Sequence, residues 1–194
     1  MSKLLVPVGA SDHVQGVPCA QATLVEYGDF ECPYCAETHP VIQAVQRRMG
    51  SRLRFVFRHF PLAEVHPHAL AAARFAEAAG SEHVFWAAHD LLFRNSARLG
   101  ALDLYAAGRS LGLDAALVAR ALSGAFDPHI EADFEGGVRS GVNGTPGLFI
   151  NGLRYDGPRD LYSLLAMLEP SPGDAVVRGR TAADVHGVAA GAGR

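Results

Sequence analysis

The stretch TLVEYGDFECPYC, residues 23–35, joins a short apolar run to two cysteines three positions apart. The run from Thr23 to Tyr27 is bounded by the turn-forming pair Gly28 and Asp29, a pattern typical of a buried strand. Pro33 suits the first position of a helix, because it has no N–H that would be left unpaired there. The stretch therefore predicts a strand, a tight turn and a helix that begins at the cysteine pair.

This placement gives the two thiols different environments. Cys32 would face free backbone N–H groups and the positive end of the helix dipole, which favour a thiolate, the reactive form of the thiol. Cys35 would lie one turn further in. The alternative is a structural zinc site, which usually needs four ligands. The sequence contains no second CxxC and no HxxxH, so a redox-active pair is the favoured interpretation.

The residues that follow predict a second strand. Pro33 to Met49 has helical spacing, with a kink expected at Pro40 and an end at Gly50. From residue 53 the period changes to two, and apolar and mostly polar positions alternate as far as Arg58. Strand, helix and strand at this spacing form a βαβ unit, so the two strands should be parallel.

The remaining pattern is helical, then extended, then helical. Helices are expected over 66–80, 82–94, 102–111, 114–122 and 127–141, with Asp127-Pro128 as the start of the last. A hairpin over 147–155 turns at Asn151-Gly152, a type I′ signature, and a final helix covers 160–168. Val6-Pro7-Val8 could add an edge strand. This order predicts an α/β protein with a thioredoxin-like layout and an inserted helical subdomain.

The same pattern suggests a division of the chain. Residues 1–20 form an N-terminal lead-in, 21–62 the first half of the thioredoxin-like unit and 63–141 the helical insertion. Residues 142–169 complete the thioredoxin-like unit. Residues 170–194 are rich in Gly, Ala and Pro and lack aromatic residues, so we expect a mobile tail.

Composition narrows the functional classes. The chain has 194 residues, 49% of them apolar, and a net charge of −3, which gives no polybasic footprint for nucleic acid or an anionic membrane surface. No apolar run approaches the roughly 20 residues that span a bilayer, and Leu4-Leu5-Val6 is too short for a signal-peptide core. We therefore expect a cytoplasmic protein. Three cysteines fit one redox pair and a passive third thiol, Cys19.

The sequence resembles the DsbA-like thiol-disulfide oxidoreductases of the thioredoxin superfamily. The resemblance covers roughly residues 12–168, and its specific parts are Cys32-Pro33-Tyr34-Cys35 and Gly144-Thr145-Pro146. It implies that Cys32 attacks the substrate and that Cys35 resolves the mixed disulfide.

The resemblance also implies roles beyond the cysteines. Thr145-Pro146 is expected to form a cis-proline turn beside the CxxC, where Thr145 pairs with an extended substrate segment. With Pro33 and Tyr34, these two residues make up the expected substrate-binding set. Glu26, in the buried strand, is expected to have a raised pKa and to relay the proton of Cys35; the alternative is a side chain that faces solvent. Arg58 could be its counter-charge.

Tyr34 departs from the histidine often found between the cysteines of strongly oxidising relatives. It cannot supply a positive charge to a thiolate, and Glu31 should oppose the thiolate. The direction of the redox reaction is therefore open. The nine histidines show no metal-ligand spacing, so they are interpreted mostly as capping or surface residues, without a metal site or a cofactor.

The predicted function is exchange of disulfides with protein or small-molecule substrates through Cys32 and Cys35. Partners would be protein thiols or disulfides, with glutathione or a thioredoxin-type reductant as further candidates. One alternative is a glutathione-dependent transferase or isomerase, although such enzymes often use serine and lack CxxC. The other is a redox-sensing dithiol that alters binding to a partner protein.

Overall fold

The predicted βαβ unit forms the centre of a mixed five-stranded sheet. The computed structural model describes residues 2–169. The strands are β1 (His13–Gln15), β2 (Ala22–Gly28), β3 (Leu53–His59), β4 (Gly147–Ile150) and β5 (Leu153–Tyr155), in the spatial order β1-β3-β2-β4-β5. The β2–β3 pair is parallel, as predicted, and the three other pairs are antiparallel.

Seven α-helices accompany this sheet within residues 2–169. They are α1 (Pro33–Met49), α2 (Ala69–Ser81), α3 (Phe85–Arg94), α4 (Ala101–Ser110), α5 (Ala115–Leu122), α6 (Asp127–Arg139) and α7 (Leu161–Leu168). Helices α2 to α6 follow one another between β3 and β4, as expected for an inserted helical subdomain. The predicted fold class is therefore confirmed. Within the described residues, no helix is both long enough and apolar enough to cross a membrane.

Helix α1 begins and ends where its sequence indicates. Cys32 is its N-cap residue in an extended conformation, and Pro33 occupies the first turn. The helix runs from Pro33 to Met49 without a break at Pro40, and Gly50 follows it with a φ of 55°, a conformation that glycine adopts at little cost.

The two faces of the sheet bury different sets of side chains. Alternate residues of β2 and β3, among them Leu24 and Phe57, pack with α1, α2, α3 and α7 in the larger core. The intervening residues, Tyr27 and Val56 among them, pack on the opposite face with Phe60 and Phe149. This alternation decides which polar side chains meet, because residues two apart in a strand share a face.

Several predicted boundaries are wrong. The edge strand is His13–Gln15 rather than Val6-Pro7-Val8, and the carbonyl groups of Val6 and Pro7 accept hydrogen bonds from Arg58 instead of pairing in the sheet. The predicted helices over 66–80 and 82–94 begin three residues too early.

Turn geometry accounts for those early starts. Residues 66–68 lie in the loop that precedes α2, and His83, with a φ of 62°, interrupts the helical path before α3. Helix α6 starts at Asp127, as predicted, but the Asp127 carboxylate does not cap it and pairs with Arg74 instead. The hairpin turn is as expected, since Asn151 and Gly152 both have positive φ, as a type I′ turn requires.

Candidate active site at the start of helix α1

Cys32 and Cys35 lie on the first turn of α1, at the end of the β2-to-α1 turn. The N–H of Cys32 donates a hydrogen bond to the carbonyl oxygen of Asp29 at 3.2 Å, which closes this turn. Both side chains are largely buried: Cys32 is 3% exposed and Cys35 is fully enclosed. Cys32 is thus the more accessible thiol, as expected, although by a small margin.

The pKa values of the two thiols are shifted in opposite directions. A hydrogen bond from Cys35, which outweighs the effect of burial, lowers the pKa of Cys32 to about 5, with help from Thr145 and from the backbone N–H groups of Cys35 and Tyr34. Burial raises the pKa of Cys35 well above its ordinary value, and hydrogen bonding to Cys32 and the nearby Glu26 carboxylate add to the rise. Near neutral pH the pair therefore holds one thiolate and one thiol.

The Thr145–Pro146 peptide bond lies beside Cys32 and is cis, as predicted. The Sγ atom of Cys32 lies 3.4 Å from the carbonyl oxygen of Thr145, to which the protonated thiol donates a hydrogen bond. On the outer side, Tyr34 is 61% exposed and Pro33 is also exposed. A backbone segment therefore contacts the thiol, and an exposed aromatic side chain lies between the two cysteines in the sequence.

Glu26 is buried beneath this turn, on the face of β2 that packs against α1. Its side chain is enclosed, and neither carboxyl oxygen has a hydrogen-bond partner among the described residues. Burial, and to a smaller extent the Cys32 thiolate, raise its pKa to about 8, although Arg159 partly opposes the rise. The expected raised pKa is present, and the alternative of a solvent-facing carboxylate is excluded.

Arg58 is not the counter-charge of Glu26. In the parallel pair β2–β3, Arg58 is opposite Tyr27 and Phe57 is opposite Glu26, so the two charged side chains lie on opposite faces of the sheet. The guanidinium group instead binds both carboxylate oxygens of Asp12, at 2.6 and 3.0 Å, and the Tyr27 hydroxyl at 2.8 Å. Its role is to hold the N-terminal segment against the sheet.

Two residues of the site were not identified from the sequence. Asp29, which is buried, accepts a hydrogen bond from His66 Nδ1 at 2.7 Å and another from the N–H of Leu62 at 2.9 Å. Burial lowers the pKa of His66, but bonding to Asp29 and the charges of Asp29, Cys32 and Glu31 outweigh it and raise that pKa. Asp29 could have been identified from its position three residues before Cys32, whereas nothing in the sequence spacing of His66 indicated a place in the site.

The interpretation of the histidines as mostly capping or surface residues is wrong. His39, His59 and His89 are buried, and His13 and His129 are partly buried. Burial lowers the pKa of His89 to about 4, so it is neutral at physiological pH. These residues come from separate elements, and their proximity depends on the tertiary fold rather than on sequence spacing.

Comparison with known proteins gives the family. A family model described as thioredoxin matches residues 10–170. Curated relatives from Salinispora arenicola and Mycolicibacterium gilvum are 41% and 40% identical over 84% and 88% of this chain. Both are named Na(+)/H(+) antiporter NhaA 1, and the matched part is 25% and 28% of their length. The chain thus spans about a quarter of the length of the curated relatives that it matches.

Solved structures give the same fold. A thioredoxin-like oxidoreductase from Silicibacter pomeroyi superposes with a TM-score of 0.72 at 27% identity, over 90% of this chain and 95% of that one. BdbD from Bacillus subtilis gives 0.75 at 19% identity, over 86% and 95%. Alpha-DsbA1 from Wolbachia pipientis gives 0.76 at 18% identity, over 91% and 98%.

The protein belongs to the thioredoxin class, because it combines a central βαβ unit and a cis-proline turn with the match to the family model. The chain belongs to the thioredoxin family, and its fold is that of the DsbA-like thiol-disulfide oxidoreductases. The predicted thioredoxin-like family and DsbA-like fold are therefore confirmed.

Proposed function

We propose that the protein exchanges disulfides with protein or small-molecule substrates through Cys32 and Cys35. The opposite pKa shifts of these two contacting thiols support this proposal most directly. A thiol with a pKa of about 5 is almost fully ionised near neutral pH, and the thiolate is the attacking species in disulfide exchange. A protonated second thiol beside it is held in reserve for the resolving step.

The proposed reaction has two steps. The Cys32 thiolate attacks one sulfur of a substrate disulfide, forming a mixed disulfide, and the other substrate sulfur leaves as a thiolate that takes up a proton. Cys35 then loses its proton and attacks the Cys32 sulfur, which releases the second substrate thiolate and leaves a Cys32–Cys35 disulfide. The same steps in reverse oxidise a dithiol substrate, so the direction depends on the partner's potential.

Glu26 is proposed to accept the proton of Cys35 in the resolving step. A thiol with a raised pKa needs a base, and a carboxyl group with a pKa of about 8 can take up and release a proton near neutral pH. Its charge acts on Cys35, which supports proximity to that thiol. Because neither oxygen of Glu26 has a hydrogen-bond partner within residues 2–169, we propose that the proton passes through water.

The proposed substrate contacts surround Cys32. Thr145 would pair through its backbone with an extended substrate segment, as in β-augmentation. Pro33, Tyr34 and Pro146 would contact the substrate side chains on either side of the reacting disulfide. Protein thiols and disulfides are the proposed substrates, and glutathione or a thioredoxin-type reductant is the proposed electron partner. The expected cytoplasmic location belongs to the same proposal, and cell fractionation tests it.

We further propose the domain limits expected from the sequence, with one refinement. Residues 21–62 and 142–169 carry the strands β2 to β5 and residues 63–141 carry α2 to α6. The lead-in over 1–20 also contributes β1 to the sheet. The predicted tail over 170–194 lies outside the described residues.

Trapping of the mixed disulfide tests the proposal. In Cys35→Ser the resolving thiol is absent, so adducts on Cys32 should accumulate and disappear with dithiothreitol on non-reducing gels. Cys19→Ser, which alters an exposed thiol outside the pair, should leave the adducts unchanged. Adducts that require Cys19 rather than Cys32 would contradict the assignment. Reduction of insulin with dithiothreitol as electron donor distinguishes the enzyme from a redox-sensing binding protein, which would not turn over.

A further inference from the structure

A second cluster of titratable groups surrounds the Glu77 carboxylate. It consists of His13 in β1, His59 at the end of β3, Glu77 in α2 and His129 in α6. Glu77 Oε1 accepts hydrogen bonds from His13 Nε2 at 2.6 Å and from His59 Nε2 at 2.8 Å. His129 Nε2 lies 4.0 Å from the same oxygen. Three imidazoles from three elements therefore direct their Nε2 atoms towards one carboxylate oxygen.

The hydrogen bonds of this cluster leave two buried ring nitrogens unsatisfied among the described residues, His59 Nδ1 and His129 Nε2. His129 Nε2 is shielded from solvent and has no hydrogen-bond partner among residues 2–169. Its nearest acidic oxygens are Asp133 Oδ2 at 3.6 Å and Glu77 Oε1 at 4.0 Å, both too distant for a hydrogen bond. Buried polar atoms in folded proteins almost always have partners, so an unpaired imidazole nitrogen that faces a carboxylate requires an explanation.

The geometry points to a binding site for a divalent transition-metal ion such as Zn²⁺, with His13 Nε2, His129 Nε2 and the Glu77 carboxylate as its ligands. These three donor atoms all lie within 4.8 Å of one another. Ligands at ~2.0–2.2 Å from a tetrahedral zinc ion are separated by about 3.3 Å. The observed separations of 2.6 Å (His13 to Glu77) and 4.0 Å (His129 to Glu77) lie on either side of that value. Small side-chain rotations would therefore complete the site.

The chemistry of the donors suits this ion. Imidazole and carboxylate ligands favour zinc and its neighbours, and two histidines with one glutamate make up a known type of zinc site with a position left for water. Hydrogen bonds from His13 and His59 outweigh the effect of burial and hold the pKa of Glu77 well below its usual range, so the carboxylate is anionic. On binding, His13 would carry its proton on Nδ1, which leaves the Nε2 lone pair for the metal.

The residues around the cluster hold its ligands in place and leave a route by which an ion can enter. The His59 side chain is 1% exposed and donates to Glu77, the arrangement by which an outer residue orients a metal-binding carboxylate. The His13 ring stacks on Phe85 with 3.4 Å between ring centroids, which restrains its plane. The side chains of His13 and His129 are 17% and 28% exposed, so an ion can enter from their side.

Metal titration of a chain without active-site thiols tests the proposal. The variant C19S/C32S/C35S, prepared without a histidine tag, removes every cysteine that could compete for the ion. Calorimetry with Zn²⁺ and visible spectroscopy with Co²⁺ should show one ion bound per chain, without the charge-transfer band of a thiolate ligand. In the same background, Glu77→Gln and His129→Gln should each weaken binding by at least ~10-fold, and His59→Gln by about 10-fold.

Matched controls keep the test decisive. His83→Asn changes an exposed histidine outside the cluster and should leave binding unchanged. Because Glu77→Gln disturbs a buried network, circular dichroism must show that it folds; if it does not, the partly exposed His129→Gln decides the outcome. Absence of saturable binding would overturn the proposal. Binding that survives His129→Gln but is lost on substitution of His39 or Asp90 would also overturn it, since that result assigns the ion to the other histidine and aspartate group.

Discussion

The buried carboxylate of Asp29 accepts a hydrogen bond from the imidazole of His66, with 2.7 Å between Oδ2 and Nδ1. The same carboxylate also accepts from the N–H groups of Glu31 and Leu62, at 2.8 and 2.9 Å. One side chain thereby connects the turn that carries Cys32 to the loop after β3. This connection brings a basic side chain to the active site, where Tyr34 cannot supply a positive charge.

We predict that His66→Ala raises the pKa of Cys32. The pKa of His66 is raised above its usual 6.5, so the imidazole is cationic near pH 5, where Cys32 titrates. Loss of that charge should raise the thiolate pKa by roughly one unit. The absorbance of the thiolate at 240 nm, followed against pH in the reduced protein, measures it.

An exposed neighbour provides the control for this prediction. His68 lies two residues away and is exposed, so His68→Ala should leave the Cys32 titration unchanged. Equal shifts in both variants would indicate a general disturbance of the loop. An unchanged titration in His66→Ala would show that the hydrogen bonds from Cys35 and the backbone suffice to stabilise the thiolate.

The reduction potential is predicted to lie between those of thioredoxin and DsbA. A lower thiolate pKa stabilises the reduced form and makes the disulfide more oxidising. The pKa of about 5 for Cys32 falls between the values of about 7 for thioredoxin and about 3.5 for DsbA. We therefore expect a potential near roughly −200 mV, between about −270 and −120 mV. Equilibration with glutathione redox buffers measures it.

Tyr34→His should raise this potential, because a histidine cation next to Cys32 would stabilise the thiolate further. Tyr34 is 61% exposed, so the fold should tolerate the change. A wild-type potential below that of thioredoxin, or a fall on introduction of histidine, would contradict this relation between charge and potential.

Loss of the Asp12 charge is predicted to destabilise the protein without changing its thiol chemistry. The Arg58 and Asp12 side chains are only 3% and 4% exposed, so Asp12→Asn would leave a buried guanidinium without its counter-ion. Removal of one partner from a buried pair costs about 3–5 kcal/mol. Urea unfolding measures the loss, and Asp103→Asn, in a pair with an Arg98 that is 79% exposed, should cost less than about 1 kcal/mol.

Local sequence patterns were sufficient for the elements near the cysteines. Proline and glycine at the two ends of α1, the alternation in β3 and Asn151-Gly152 all act within a few residues, so their structures could be predicted. The buried state of Glu26 followed in the same way, because its neighbours in the strand are apolar. These are cases in which local preferences and the final fold agree.

Pairings between distant residues could not be predicted in this way. Arg58 was assigned to Glu26 because the two strands are neighbours, but the parallel register places Arg58 on the other face with Tyr27. The contact between His66 and Asp29 and the convergence of three histidines on Glu77 join residues 18 to 64 positions apart. Such contacts depend on strand order and helix packing, which no short motif specifies.

Glu26 is expected to make the stability of the protein depend on pH. Its pKa is about 8 in the folded protein and near 4.5 in the unfolded chain, where the side chain is hydrated. Between these values the folded state holds a proton that the unfolded state releases. The contribution of Glu26 to stability therefore decreases as pH rises from about 4.5 to 8, because the state that binds more protons loses stability when protons become scarce.

We predict that Glu26→Gln removes this decrease and slows resolution of the mixed disulfide. Glutamine cannot ionise, so the variant should match its parent near pH 4 and exceed it by roughly 3–5 kcal/mol near pH 9. Urea unfolding in a C32S/C35S background tests this without interference from the thiols, and Glu131→Gln, an exposed site on α6, controls for the lost charge. With both cysteines present, stopped-flow measurements on a model disulfide should show attack by Cys32 nearly intact and release by Cys35 slowed by ~10²-fold. Equal pH dependence in parent and variant would mean that Glu26 is already ionised at neutral pH, and equal slowing of both steps would exclude a specific role in proton transfer from Cys35.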